Sequence, residues 1–284
     1  MKKSNTFQFC INTATISCKG MSLVEKVDVA AKVGYDGIEP WVGEVEDYVE
    51  QGGSLDDLKK RISDKGLSVP DAMGFIEWIV DDDDLRAKGF EKAKRNMEMV
   101  RQIGAERLAA PPCGVKEGES VDLLRAAERY RELLELGDTC DVIPMVEFWW
   151  MSPALYRLGQ AVMIAIESGH PKACVLADVF HIYRGGGRLD SLRLLGPDIL
   201  GMMHMNDYPA DPPMNEINDG HRVHAGDGVA PLVQVFRDLH DIGFHGMISL
   251  EVFKYKQQDA LEVAQTGLLK MREIADMAMD TFSR

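Results

Sequence analysis

None of the five cysteines (Cys10, Cys18, Cys113, Cys140, Cys174) forms a Cys-x-x-Cys pair, and their number is odd. That argues against a disulfide framework, and the thiols read as buried groups of a reducing compartment, the cytoplasm. No window approaches the roughly 20 consecutive apolar residues a membrane helix needs, so no membrane partner is expected. The start, Met1-Lys2-Lys3-Ser4-Asn5, carries two positive charges but turns polar before any apolar stretch of a secretion signal. Positive charge is scarce overall: 32 Lys and Arg stand against 46 Asp and Glu, a formal net charge of −14 with pI near 5.0. Phosphate backbones demand clustered cations, which argues against nucleic acid and for a neutral or metal-held small substrate.

What the chain does have is alternation. Eight short, apolar, β-prone runs recur at Phe7 to Asn12, Gly37 to Trp41, Leu67 to Ala72, Arg107 to Ala110, Ile143 to Phe148, Ala173 to Asp178, Leu200 to Met205 and Met247 to Val252. Runs of this kind read as strands buried on both faces of a parallel sheet. Helical patterns lie between them. Ser22 caps a helix that Gly34 stops, Ser54-Leu55-Asp56-Asp57 opens one that Gly66 ends, and Phe90, Ala93, Met97, Val100 and Ile103 form a stripe ended by Gly104. Asp81 to Asp84 sit at the start of that third helix, where acid complements the helix dipole. Ser120 to Leu136, Ala154 to Ser168, Ala230 to Ile242 and Gln258 to Asp276 are four more amphipathic stretches, and Leu189 to Leu195 is a short one. In 284 residues this alternation predicts one domain over 1–284, a single α/β (β/α)8 TIM barrel.

Two connections depart from the short-loop pattern. Residues 206–228, with Pro209, Pro212 and Pro213, are expected to rise from the catalytic face as a substrate lid. Tyr183 to Arg188, holding Gly185-Gly186-Gly187, is expected to be a flexible loop beside the site.

Four polar residues stand at the C-terminal ends of separate apolar runs: Glu147, Asp178, His204 and Glu251. An unpaired carboxylate in a dry interior is too costly to keep ionised, so four such groups at matching positions predict a shared cation. Three carboxylates and an imidazole suit one divalent ion, Mn²⁺ first, with Mg²⁺, Co²⁺ or Zn²⁺ as alternatives. Glu147 and Glu251, on the fifth and eighth strands, would approach a chelated sugar from different sides, as proton abstraction and return next to a carbonyl require. Around them, His181 and Arg222 are expected on substrate oxygens, Glu39, Trp149 and Asp207 at the substrate with Trp41 and Trp150 as further apolar wall, and Asn206 and Asp207 also behind His204. Gly226-Asp227-Gly228 is expected to turn the chain into the seventh helix.

With these residues in place the chain resembles the xylose isomerase-like sugar isomerase/epimerase superfamily, closest to its inosose isomerase and ketose 3-epimerase branches. The resemblance covers nearly the whole chain. It rests on Phe9-Cys10-Ile11-Asn12, Gly34-Tyr35-Asp36-Gly37-Ile38-Glu39, Glu147-Phe148, Asp178 to His181, His204 with Asn206-Asp207, Arg222-Val223 with Gly226-Asp227-Gly228, and Glu251-Val252-Phe253, in that order. It implies metal ligation by Glu147, Asp178, His204 and Glu251, an acid/base pair of Glu147 and Glu251, and substrate contacts from His181 and Arg222. The expected partner is a small-molecule sugar or cyclitol, with homo-oligomerisation left open. Two departures fall in the expected pocket: His224-Ala225 before the glycine turn, and Trp149-Trp150-Met151. A lyase of the same fold, acting on an inosose or dehydroshikimate, would use the same metal and base. The related zinc-dependent abasic-site endonuclease is disfavoured because no histidine precedes His170. A non-catalytic sugar sensor would have no need of both glutamates.

Overall fold

The computed structural model describes residues 7–18, 20–255 and 258–280, so the charged start at Met1 to Asn5 lies outside the described residues. Eight parallel strands, β1 (Gln8–Asn12), β2 (Gly37–Glu39), β3 (Ala72–Met73), β4 (Arg107–Ala110), β5 (Ile143–Glu147), β6 (Val175–Asp178), β7 (Leu200–Met205) and β8 (Met247–Leu250), run in the order β2-β1-β8-β7-β6-β5-β4-β3. Isolated bridges Gly37↔Ser68 and Trp41↔Met73 join the two ends of that order. The result is the expected (β/α)8 barrel. Its helices are α1 (Leu23–Val33), α2 (Val42–Glu50), α3 (Leu55–Asp64), α4 (Asp83–Gln102), α5 (Leu123–Cys140), α6 (Leu158–Ser168), α7 (Val179–Arg184), α8 (Leu232–Asp241) and α9 (Ala260–Asp280). No described helix is long and apolar enough to cross a membrane.

The third strand differs from expectation. The apolar run Leu67 to Ala72 predicts a strand, yet only Ala72 and Met73 form a ladder with β4. Pro70 has no N–H to give. The seam with β2 is therefore carried by bonds on either side of it, Ile38 N to Ser68 O at 2.9 Å and Met73 N to Pro40 O at 2.9 Å. The signals for α1 behave as expected: Ser22 and Glu25 form a reciprocal capping box, and Gly34 takes a left-handed φ of 91° that a side chain would resist. Helices α2 and α7 were not anticipated. The glycines at 185–187 are also not a loose loop, because Gly185, Gly186 and Gly187 donate to His181, Tyr183 and Ile182 carbonyls. A Cβ on Gly185 would stand 2.2 Å from Tyr156 O.

Period-two alternation fixes the site's height in the barrel. Phe9 and Ile11 face outward into the large core under the helices, whereas Cys10, Met73, Ala109, Met145, Leu176 and Met202 form a separate inner cluster. Residues two positions further along the same strands share that inward direction. For β1, β5, β6 and β7 those residues are Asn12, Glu147, Asp178 and His204, so the polar layer sits one step above an apolar plug at the C-terminal face.

Candidate functional site

Strand ends deliver the four expected ligand residues. Glu147 and Asp178 close β5 and β6, His204 is next to last in β7 and pairs in register with Asp178, and Glu251 lies one step past β8 with its N–H still bonded to Met205 O. All four are buried, from 0 to 3% exposed. Asp178, His204 and Glu251 each offer a donor atom within 4.8 Å of the others. Glu147 is not in that group; its Oε1 lies 4.0 Å from His181 Nε2 and its Oε2 is buried without a hydrogen-bond partner.

His204 is oriented from below. Its Nε2 meets Glu39 Oε1 at 2.8 Å, and because a carboxylate oxygen accepts, Nε2 carries a proton there. Its Nδ1 lies 3.2 Å from Glu251 Oε2 and 3.8 Å from Asp178 Oδ2 without an aligned hydrogen bond. Burial works against a charged imidazole, but Glu39 and Glu251 outweigh it and hold His204 well above the ordinary histidine value. A cation is favoured between these carboxylates, and a metal ion would take such a place in exchange for the Nδ1 proton. The orphaned Glu147 oxygen and this Nδ1 make the residues present fit a divalent metal.

The remaining carboxyls are split by environment. Burial pushes Glu147 up to about 8. Burial would raise Glu251 too, yet the charges of His204 and Arg222 bring it down to about 2. His181, in the first turn of α7, is held below the usual histidine value chiefly by burial, and its backbone N–H donates to Asp178 Oδ1 at 2.8 Å.

Two expected site residues stand elsewhere than the sequence suggested, and a third reaches the site with its donors engaged by the protein. Glu39 is not at the mouth; it is 0% exposed beneath His204, accepting also from Ser249 Oγ at 2.6 Å and Asn12 Nδ2 at 3.0 Å. Asp207 turns away from the imidazole and accepts backbone N–H groups from Tyr208, Gly226, Gly228 and Ala230 at 2.8–3.1 Å. Its neighbour Asn206 does reach the site, donating to Asp178 Oδ2 at 3.0 Å. Arg222, expected to reach the substrate from an exposed loop, is 1% exposed between the rings of Phe180 and Phe253. Its Nη1 donates to Asp178 Oδ2 and Glu251 Oε2, its Nη2 to Asp219 Oδ1 and His181 Nε2, and its Nε to Asp219 Oδ1. Those bonds use all the guanidinium's donors.

Above this layer is a cavity of about 190 Å³ that Glu147, Glu251, His181, Arg222 and Asp219 line on one side. An apolar wall faces them, in which Trp41 packs on Phe75 at 4.9 Å and Phe75 on Trp149 at 6.0 Å, with Met73, Met151 and Phe253 beside it. Of the two sequence departures, Trp149 and Met151 do line the cavity. His224 does not; it stacks on Tyr255 with centroids 4.4 Å apart. Sequence reading passed over Asp219, Asn12 and Phe75. Asn12 could have been found, since it ends an apolar run on the inward parity as the ligands do.

The sequence model of the xylose isomerase-like TIM barrel matches residues 27–274. The inosose isomerase of Halalkalibacterium halodurans is 25% identical over 267 residues, covering 92% of this chain and 93% of the relative. Among solved structures, an IolI protein with a bound zinc atom superposes with a TM-score of 0.86 at 22% identity, covering 95% of this chain and 98% of that one. An L-ribulose 3-epimerase does so with a TM-score of 0.80 at 18% identity, covering 98% and 97%.

Proposed function

The chain belongs to the xylose isomerase-like TIM barrel family, and from that premise we propose that it is a divalent-metal-dependent isomerase or epimerase of an uncharged ketose, inosose or keto-sugar. The observation that carries this reading is the Asp178, His204 and Glu251 donor group set beneath a cavity that Glu251 lines together with a separate buried carboxyl, Glu147. Glu147, Asp178, His204 and Glu251 would hold the ion, which when bound supplies polarisation of a carbonyl and stabilisation of the charge left by proton loss. Glu147 and Glu251 stand on strands three places apart in the barrel order, so a substrate between them meets one carboxyl on each side. One removes the proton next to the carbonyl and the other returns one, to the opposite face for epimerisation or to the neighbouring carbon for aldose–ketose isomerisation. Trp41, Phe75 and Trp149 offer faces for the C–H surface of a sugar and exclude water from the reacting side.

Charge supports the uncharged substrate. Among the described residues Arg222 is the sole Lys or Arg lining the cavity, and its donors are all engaged by the protein. A phosphate or carboxylate would meet Glu147, Asp219 and Glu251 with no free guanidinium to receive it, which disfavours a dehydroshikimate-type reaction. The five free thiols accord with a reducing compartment, the cytoplasm.

The test is incubation of Mn²⁺-loaded protein with a panel of ketoses, inososes and keto-sugars in D₂O, read by mass spectrometry, with Glu147→Gln and Glu251→Gln alongside. Deuterium incorporation that both variants lose is the expected result. Accompanying loss of water would reassign the protein as a dehydratase, and no exchange anywhere in the panel would sink the reading.

A further inference from the structure

The loop between β7 and α8 reaches the ligand carboxylates through one continuous chain of contacts. Trp150 Nε1 donates to Asp219 Oδ2 at 2.9 Å, and Asp219 Oδ1 receives Arg222 Nε at 3.0 Å and Nη2 at 2.6 Å. Arg222 Nη1 then donates to Asp178 Oδ2 and Glu251 Oε2, each at 2.7 Å. We propose that Asp219 is a positioning residue that couples this loop to the metal-ligand carboxylates through Arg222, with Trp150 as the catch that holds the loop down. The inference rests on the metal-dependent reading of the site.

Geometry argues for coupling rather than mere contact. A guanidinium is planar and rigid, so fixing two of its nitrogens on Asp219 fixes where the third points. Phe180 and Phe253, 5.0 and 5.1 Å from its central carbon, leave it little room to tilt. Electrostatics points the same way. A guanidinium charge 2.7 Å from two ligand oxygens opposes a divalent cation on those oxygens, and Asp219 partly neutralises that charge from the far side. Arg184 strengthens the catch: it stacks over Trp150 at 4.3 Å and donates to the carbonyls of Ile217 and Asn215 in the same loop.

The decisive variants are Asp219→Asn and Trp150→Phe. The first keeps the shape but loses the charge, and its NH₂ must face either Arg222 or Trp150 donor against donor. The second keeps a ring under Arg184 and loses only the Nε1 donor. Zn²⁺ affinity is measured by competition with a chromophoric chelator, amide hydrogen exchange across residues 207–229 by mass spectrometry, and folding by circular dichroism. Asp219→Asn is expected to bind Zn²⁺ about 10-fold more weakly or worse and to exchange faster in the loop. Trp150→Phe is expected to exchange faster in the loop with a smaller loss of Zn²⁺ affinity than Asp219→Asn, because Asp219 still holds Arg222. Faster exchange in Asp219→Asn without loss of affinity overturns the coupling, and unchanged exchange in both variants overturns the catch. A parent protein that binds neither Zn²⁺ nor Mn²⁺ defeats the proposed function and the coupling with it, while the exchange data still decide the catch. Zn²⁺ binding without turnover of any sugar defeats the proposed reaction and leaves this inference standing.

Discussion

Replacing Glu39 by Gln tests whether the layer beneath the cavity governs the metal. Glu39 faces three donors: His204 Nε2–H on Oε1, and Ser249 Oγ–H and Asn12 Nδ2–H on Oε2. A glutamine in the same volume keeps one acceptor and gains an NH₂. If the amide oxygen stays with Ser249 and Asn12, the NH₂ lies about where Oε1 was and donates to Nε2, which drives the imidazole proton onto Nδ1. That is the nitrogen facing Asp178 and Glu251, so the variant loses its metal-facing lone pair. The flipped amide is worse, since its NH₂ then meets two donors. Loss of such an outer partner costs about 10- to 100-fold in metal affinity, or about 1.4–2.8 kcal/mol. Chelator competition with Zn²⁺ should report that loss, and saturating metal should restore much of kcat with KM little changed. A Zn²⁺ affinity within about twofold of the parent, together with a KM raised tenfold, would refute the argument and return Glu39 to the substrate.

Removal of bound Zn²⁺ by a chelator should lower Tm: an ion present at 100 times its Kd stabilises by about 2.7 kcal/mol, on the order of 5 °C here, and an unchanged Tm would exclude a filled site in the starting protein. Burial pulls His224 down to about 4, so between about 4 and the usual 6.5 the unfolded chain binds the proton more readily than the folded one. Stability therefore falls as pH drops through that window, by at most about 3 kcal/mol, and urea titrations should show a shallower fall in His224→Phe; identical slopes would reject it. Gly228→Ala would place a Cβ 2.2 Å from Tyr208 O and 2.3 Å from Asp207 Oδ1, so it should cost about 1–3 kcal/mol and speed exchange in the loop. An alanine variant as stable as the parent would show that this turn yields.

The barrel was legible because its strands are buried on both faces and punctuated by glycine, and because charged groups at strand ends stand out against apolar runs. The strand-end positions of Glu147, Asp178, His204 and Glu251 needed nothing more. What the sequence hid were contacts across elements. Glu39 and Arg222 carry the same residue types whether they meet substrate or each hold a buried neighbour, and only the fold shows that Ser249, Asn12 and His204 surround the one and four acceptor side chains surround the other. Pro70 was visible, but the split ladder at β3 depends on which strand lies alongside. Helix α7 is hidden in the sequence because Asp178 ends an apolar run as a ligand would, while the same side chain caps that helix.

Asp207 gathers the backbone N–H groups of Tyr208 at one end of the β7–α8 loop and of Gly226, Gly228 and Ala230 at the other, and its own backbone pairs with Val223. Both ends of the segment are thereby pinned to a single carboxylate. Ordering a free segment costs on the order of 1–2 kcal/mol of conformational entropy per residue, which a substrate's binding energy would otherwise have to supply at each turnover. Here that ordering is settled once, when the chain folds. A segment pinned at both ends in this way is held as one body, so little of its ordering is left for a bound ligand to supply.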